Sequence, residues 1–256
     1  MKVAKSDIIE GLRKIGVKSG DILLLHGSLK SLGQVEGGAD MLIDALLETL
    51  GADGTLMMPS FQSGSEFYLL DRGCCFDIRN TPSGCGIITE TFRKRPGVLR
   101  SLNPTHCTAA CGPLAEKILE GHERCKLSVG FGSPYHKLME MNGKILLLGV
   151  THGSNTSLHF VENVNGAPTI CRKEYLPVVI DANGVEITVP TFPHMPGLPR
   201  NYLKVEPLLM EAGAQVNAEI GMADAKLIQA GPMASIIGGE IRKNPLFLIE
   251  PFIFPE

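Results

Sequence analysis

Tryptophan is absent from the 256-residue chain, and aromatic residues make up only 5% of it, so stacking platforms for nucleobases are scarce. The net charge is -3, and no long basic block runs through the chain, which argues further against a nucleic-acid track. No apolar run reaches the length of about 18 residues that a membrane span needs. The opening MKVAKSDIIE lacks the apolar centre of a signal peptide, so a cytoplasmic location is the expectation. Neither the P-loop spacing nor GxGxxG is present. The seven cysteines are odd in number and include no CxxC, so neither a disulfide framework nor a metal site is expected.

What the chain does have is glycine, 29 residues of it, and 44% hydrophobic residues, a composition suited to an α/β protein with functional loops. The stretch from Ile145 to Glu162, ILLLGVTHGSNTSLHFVE, organises the reading. Ile145 to Val150 is a short apolar run that ends in a turn, the signature of a buried strand. Asn155 and Thr156 offer an N-cap, and Ser157 to Glu162 follow as the first turns of a helix. His159 and Glu162 are three apart and share a face of that helix. Free N–H groups at the helix start favour a neutral imidazole, the form a general base requires, whereas a carboxylate beside it favours the charged form. The sequence leaves open which effect wins. The competing reading is a histidine that packs against the strand.

A second strand, Ile22 to Leu25, runs into His26-Gly27-Ser28-Leu29, a small-residue loop that permits close approach of a ligand to the backbone. Helices are predicted over Ser6–Ile15, Ala39–Leu50, Gly84–Lys94, Ala109–Leu119, Pro134–Met141 (capped by Ser133), Tyr202–Ala212 and Ala223–Gln229. Strands are predicted over Thr55–Met58, Val98–Ser101 and Ala214–Ile220, with a hairpin from Leu176–Ile180 and Val185–Val189, and Leu246–Pro251 reads as extended. Ser60 to Ser83 shows little periodicity and reads as a binding loop or lid, with Glu66, Asp71 and Asp77 on it. His106 sits in a polar loop where it either touches a ligand or caps a helix. His122 reads as solvated, and Cys107 as a small buried hydrophobe or, less simply, an acyl carrier. No repeat or low-complexity linker divides the chain, so residues 1–256 read as one domain, with an elaborated C-terminal part from about residue 168.

Five segments together, LLLHGSLKSLG (Leu23 to Gly33), GADGTLMMPSF (Gly51 to Phe61), FRKRPGVLRSLNPTHC (Phe92 to Cys107), FGSPYHKLMEMNGKILLLGV and NTSLHFVE, give the chain a resemblance to the aminoglycoside 3-N-acetyltransferase family. These are antibiotic N-acetyltransferases, outside the GNAT type, that use acetyl-CoA. The resemblance implies an α/β fold, a three-layer α/β/α sandwich with a central mixed sheet. It implies acetyl transfer from acetyl-CoA to a primary amine, direct and with His159 as general base. Glu162 would orient His159 or face the amine. His26, Gly27, Ser28 and Leu29 match the loop that contacts coenzyme A. Lys30, Arg95 and Arg100 are candidates for a basic rim, and Arg100, Ser101 and Ser133 fall near the coenzyme or its entrance. Glu66, Asp71, Asp77, His106 and Asn155 are the acceptor-side candidates. A homodimer is compatible with this reading.

Two departures stand out: many members read HSSL where this chain has His26-Gly27-Ser28-Leu29, and many read Ser at Cys107. Acidity is modest. Ser60 to Ser83 carries Glu66, Asp71 and Asp77 against Arg72 and Arg79, which points to an acceptor smaller or less cationic than a polyamine antibiotic. The rival functions are an acyl-CoA or amine binder that transfers nothing, and an acetyl-CoA hydrolase.

Overall fold

The computed structural model describes residues 2–251. In chain order the strands are β1 (Lys2–Val3), β2 (Ile22–Gly27), β3 (Gln34–Val35), β4 (Thr55–Pro59), β5 (Cys75–Asp77), β6 (Leu99–Arg100), β7 (Thr108–Cys111), β8 (Lys144–Leu148), β9 (Val178–Ile180), β10 (Glu186–Thr188), β11 (Gln215–Ile220) and β12 (Ala223–Gln229). The helices are α1 (Lys5–Ile15), α2 (Gly38–Leu50), α3 (Glu66–Asp71), α4 (Ile87–Phe92), α5 (Ala115–Leu119), α6 (Pro134–Glu140), α7 (Ser157–Val164), α8 (Val205–Glu211) and α9 (Ala230–Lys243).

The main sheet has the order β11-β12-β8-β2-β4-β7-β6. Its central trio is parallel, with Leu25 opposite Leu146 and Leu24 opposite Met57, and its flanks are antiparallel. Alternation along the buried strands divides the core in two. Leu24, Met57, Ile145 and Leu147 face α5 to α9, while Leu23, Leu25, Met58, Leu146 and Leu148 face α1, α2 and α4. This is the expected three-layer α/β/α sandwich with a mixed sheet. Burying each of these leucines contributes about 1.5–3 kcal/mol.

Local expectations held where periodicity was strong and failed where burial decided. The helix expected over Ala109–Leu119 is split. Ala109 and Ala110 are fully buried in β7 opposite Met58 and Met57, so tertiary burial overrides alanine's helix preference, and only α5 is helical. Gly112 makes the break: its φ is +129°, and a Cβ there would meet the Gly54 carbonyl oxygen at 2.3 Å. The helix expected over Ala223–Gln229 is β12, in which Ala223, Ala225 and Leu227 alternate as buried residues between β11 and β8. The segment Ser60 to Ser83 contains α3 and β5, and β5 joins the β9–β10 hairpin in a small sheet of its own. Leu246–Pro251 is mostly turn, with only Ile249 bridged to Arg200. His122 is fully buried rather than solvated: Ser101 Oγ meets its Nδ1 and its Nε2 donates to the Ser128 carbonyl.

Candidate functional site

Because β2, β4 and β8 are parallel, their C-terminal ends meet at one edge, the usual place for ligands in such sheets. β2 ends there on His26 and Gly27, beyond the strand expected to stop at Leu25, and hands over to Ser28, while β4 leads into Ser60 and Phe61 and β8 into Gly149 and Val150. Gly149 is obligatory at its φ of +66°, since a Cβ would meet Ser31 at 2.3 Å. Ser31 Oγ bonds both Ser28 Oγ and the Gly149 carbonyl, locking the turns together.

Two cavities share Phe61 as a wall. One, of about 240 Å³, is lined by His26, Gly27, Phe61, Val150 and Thr156 among others. His26 is buried there, its Nε2 has no protein partner among the described residues, and burial lowers its pKa to about 4. The other, of about 210 Å³, is lined by Phe61, Glu66, His106, His159, His194 and Arg200 among others.

His159 is the centre of the second cavity. Its Nδ1 lies 3.1 Å from Glu162 Oε2 and 2.9 Å from Tyr202 Oη. An ionised carboxylate only accepts, so the imidazole proton sits on Nδ1 and Nε2 keeps the lone pair. Glu162 is itself fully buried, held by the Tyr202 hydroxyl at 2.7 Å and by Arg200 Nε at 3.1 and 3.2 Å. Burial pushes the Glu162 carboxyl up, but His159, Arg200 and Tyr202 outweigh it and hold the carboxyl below its usual range. Burial, aided by the neighbouring His194, pulls His159 down to about 4 against the opposing pull of Glu162. In the contest that the sequence left open, burial is the largest influence on the ring. The helix terminus is not the cause. The first N–H groups of α7 are already engaged, Ser157 by Asn155 Oδ1, Leu158 by the Asn155 carbonyl and His159 by the Thr156 carbonyl.

Behind the cavity, Glu66 accepts from Thr105 Oγ1 at 2.7 Å, Ser128 Oγ at 2.6 Å, His194 N at 2.8 Å and His194 Nδ1 at 2.5 Å. Burial raises its pKa, but His106 and His194 outweigh that and hold it well below the usual carboxylate range. Glu66, His106 and His194 place ligand-type atoms within 4.8 Å of one another, a spacing a metal ion fits. The proton positions favour a hydrogen-bonded network instead. Asn163 Nδ2 donates to His194 Nε2 at 3.1 Å, which leaves the His194 proton on Nδ1, facing Glu66.

Of the acceptor-side candidates, Glu66 and His106 meet His159 in the cavity, and three others do not. Asp71 is on exposed α3 surface and accepts from the Tyr175 hydroxyl; Asp77 organises a turn through Arg79 and Asn80; Asn155 is buried and accepts from the Ser157 N–H at the start of α7, whose N-cap is Thr156. On the coenzyme side, His26 and Gly27 line the first cavity, Ser28 and Leu29 adjoin it in sequence, and Lys30 is exposed on the short helical turn that follows. Ser133 is buried and caps α6 through His136 N. Ser101 is buried, its hydroxyl shared between Thr108 N and His122. Arg95 is paired with Asp44. Arg100 donates to the carbonyls of Ser60, Ile78 and Thr81 and lies over Phe76, so it braces the chain. Arg100 and Ser101 border a different, larger hollow of about 690 Å³ at the β6 edge, which contains none of the His159 constellation. Cys107 is fully buried, and burial pushes its thiol up, which suits a packing residue rather than a carrier.

The sequence reading missed Tyr202, Arg200 and His194. His194 and Arg200 come from the irregular, proline-rich TFPHMPGLPR segment, and that irregularity was the available signal.

A family model described as aminoglycoside 3-N-acetyltransferase matches residues 24–238. Aminoglycoside N(3)-acetyltransferase III of a Salmonella species is 37% identical over 174 residues, covering 63% of this chain and 60% of that protein. Aminoglycoside N(3)-acetyltransferase IV, also from Salmonella, is 30% identical over 259 residues, covering 96% of this chain and 90% of the other. The crystal structure of aminoglycoside acetyltransferase AAC(3)-IVa superposes with a TM-score of 0.84 at 28% identity, over 98% of this chain and 93% of that one. Among the described residues no helix is long and apolar enough to cross a membrane. The chain belongs to the aminoglycoside 3-N-acetyltransferase family.

Proposed function

We propose that this protein transfers acetyl from acetyl-CoA to a primary amine, with His159 as general base. The observation that carries the reading is the His159–Glu162 pair, with Nδ1 of His159 tied to the carboxylate and the ring lining a cavity that shares Phe61 with a second one. The His26 cavity suits the pantetheine arm and thioester, and the His159 cavity suits the amine. The amine nitrogen attacks the thioester carbonyl, His159 Nε2 takes a proton from it, and the C–S bond breaks as the coenzyme sulfur regains a proton. Glu162 stabilises the imidazolium, while Tyr202 and Arg200 hold Glu162 in place. AAC(3)-IVa has been seen with a gentamicin and AAC-VIa with sisomicin, so an amino-sugar acceptor is the natural class.

Within that class we infer a less cationic acceptor. A carboxylate has about four acceptor sites, and those of Glu66 are occupied by Thr105, Ser128 and His194. Glu162 is likewise engaged, and Arg200 adds a positive charge to the lining. With a panel of aminoglycosides, simple amino sugars and mono-amines at fixed acetyl-CoA, kcat/KM for multiply charged antibiotics is expected to stay within about a hundredfold, or about 3 kcal/mol, of the small amines. A larger advantage for the antibiotic would overturn the charge argument. Thiol release that needs no amine would establish hydrolysis, and none with any amine would establish binding alone.

The pH profile tests the base. A lowered pKa keeps His159 in its basic form to lower pH. With O-methylhydroxylamine, a weakly basic nucleophile that is itself neutral near pH 7, kcat/KM is therefore expected to stay flat from about pH 8 to about pH 5, where an unshifted histidine would bend it near about 6.5. An inflection near the ordinary histidine value would contradict a buried neutral His159.

A further inference from the structure

We propose that His106 is a second base, which takes the first proton from the acceptor while it is still an ammonium ion. The inference rests on the acetyltransferase reading and extends it. An alkylamine arrives protonated at neutral pH. The balanced reaction is R–NH3⁺ plus acetyl-CoA giving R–NH–CO–CH3, coenzyme A and one H⁺: the C–N bond forms, the C–S bond breaks, two protons leave nitrogen, and only one returns to sulfur. His159 accounts for the proton that reaches sulfur. The other must leave before attack, because an ammonium nitrogen has no lone pair.

Three imidazoles line the cavity, and their hydrogen bonds distinguish them. His194 has both nitrogens engaged, Nδ1 with Glu66 and Nε2 with Asn163. His106 does not. Ser128 Oγ gives its one proton to Glu66 Oε1 at 2.6 Å, so at 2.9 Å from His106 Nδ1 it must accept. His106 therefore carries its proton on Nδ1, and Nε2 has no protein partner among the described residues. The arrangement repeats that of His159: a carboxylate fixes Nδ1–H and Nε2 is left for the ligand, here with a serine hydroxyl between. The ring centroids of His106 and His159 are 6.2 Å apart across the shared cavity. Glu66 is fixed and negative, with its Oε1 3.3 Å from His106 Nδ1, and stabilises the imidazolium that forms. The other ionisable groups facing His106 are His194, His159, Arg200 across the cavity and buried His122 behind it. The proton then leaves through the mouth of the cavity.

The test compares two nucleophiles at pH 7: glucosamine, presented mainly as an ammonium, and O-methylhydroxylamine, already neutral. His106→Gln is expected to lower kcat with glucosamine about 5–10-fold more than kcat with O-methylhydroxylamine, a ceiling set by the glucosamine that is already neutral at pH 7. Raising the pH should restore the glucosamine rate. Ser128→Ala, which leaves His106 in place but removes its link to Glu66, should shift the two rates in the same unequal way, and it carries the test if His106→Gln does not fold. Equal loss with both nucleophiles, unrelieved by pH, would overturn the proposal and leave His106 a positioning residue. If the wild-type protein acetylates no amine of the panel above, the acetyltransferase reading fails first; if it takes only an antibiotic, that antibiotic replaces glucosamine as the ammonium nucleophile.

Discussion

Replacing His159 with alanine is expected to lower kcat by about 10²–10⁴-fold while leaving affinity for coenzyme A unchanged. The separation follows from geometry: His159 lines the cavity with Glu66 and Arg200, whereas His26 and Val150 line the one assigned to the coenzyme. His159 is also the cleanest member of its constellation to remove. Deleting Glu162 would strand Arg200 and the Tyr202 hydroxyl, and a buried charge left without its partner costs about 3–5 kcal/mol in stability, which would confuse catalysis with folding. The readouts are single-turnover acetyl transfer at saturating amine and calorimetric titration with coenzyme A. Full turnover in the variant would remove His159 from the mechanism. Matched losses in turnover and coenzyme affinity would show that the two cavities are one site.

The centre of this site was legible because its signals are local. A six-residue apolar run, a capping residue and two side chains three apart on a helix can be read from neighbours alone, and they place His159 and Glu162 on α7 beyond β8. Its supports were not legible, because they arrive from far along the chain. Arg200 and Tyr202 lie 38 and 40 residues from Glu162, and His194 lies 128 from Glu66. Nothing in periodicity reports such contacts; only the fold brings them together. The same blindness worked in reverse for Asp71 and Asp77. Both stand beside Glu66 in an unpatterned stretch, yet α3 turns Glu66 inward and leaves Asp71 outside, and β5 carries Asp77 into a separate sheet. Ala109 and Ala110 show the limit for secondary structure: alanine's intrinsic preference is helical, but a strand position between buried neighbours is worth more.

We infer for Arg100 a bracing role that its residue type does not announce. A basic residue on an extended segment near glycine-rich loops reads as an anion ligand. Its surroundings support the bracing role: three backbone carbonyls converge on the guanidinium, and the Phe76 ring packs against it at 4.7 Å. These bonds tie β6 to the chain after β4 and to the segment after β5. Each charge-assisted hydrogen bond contributes about 1.5–3 kcal/mol, and removing the cation takes the donor from three carbonyls, of which that of Ser60 is buried. Arg100→Met is therefore expected to destabilise the protein by about 3 kcal/mol or more, a fall in Tm of roughly 6–12 °C for a chain of this size, with KM for acetyl-CoA unchanged in whatever remains folded. Arg100→Lys should recover only part of the loss, since an ammonium lacks the planar fork that reaches three carbonyls at once. Urea unfolding of the three proteins alongside acetyl-CoA kinetics decides the matter. An unaltered unfolding midpoint with a raised KM would return Arg100 to the coenzyme site.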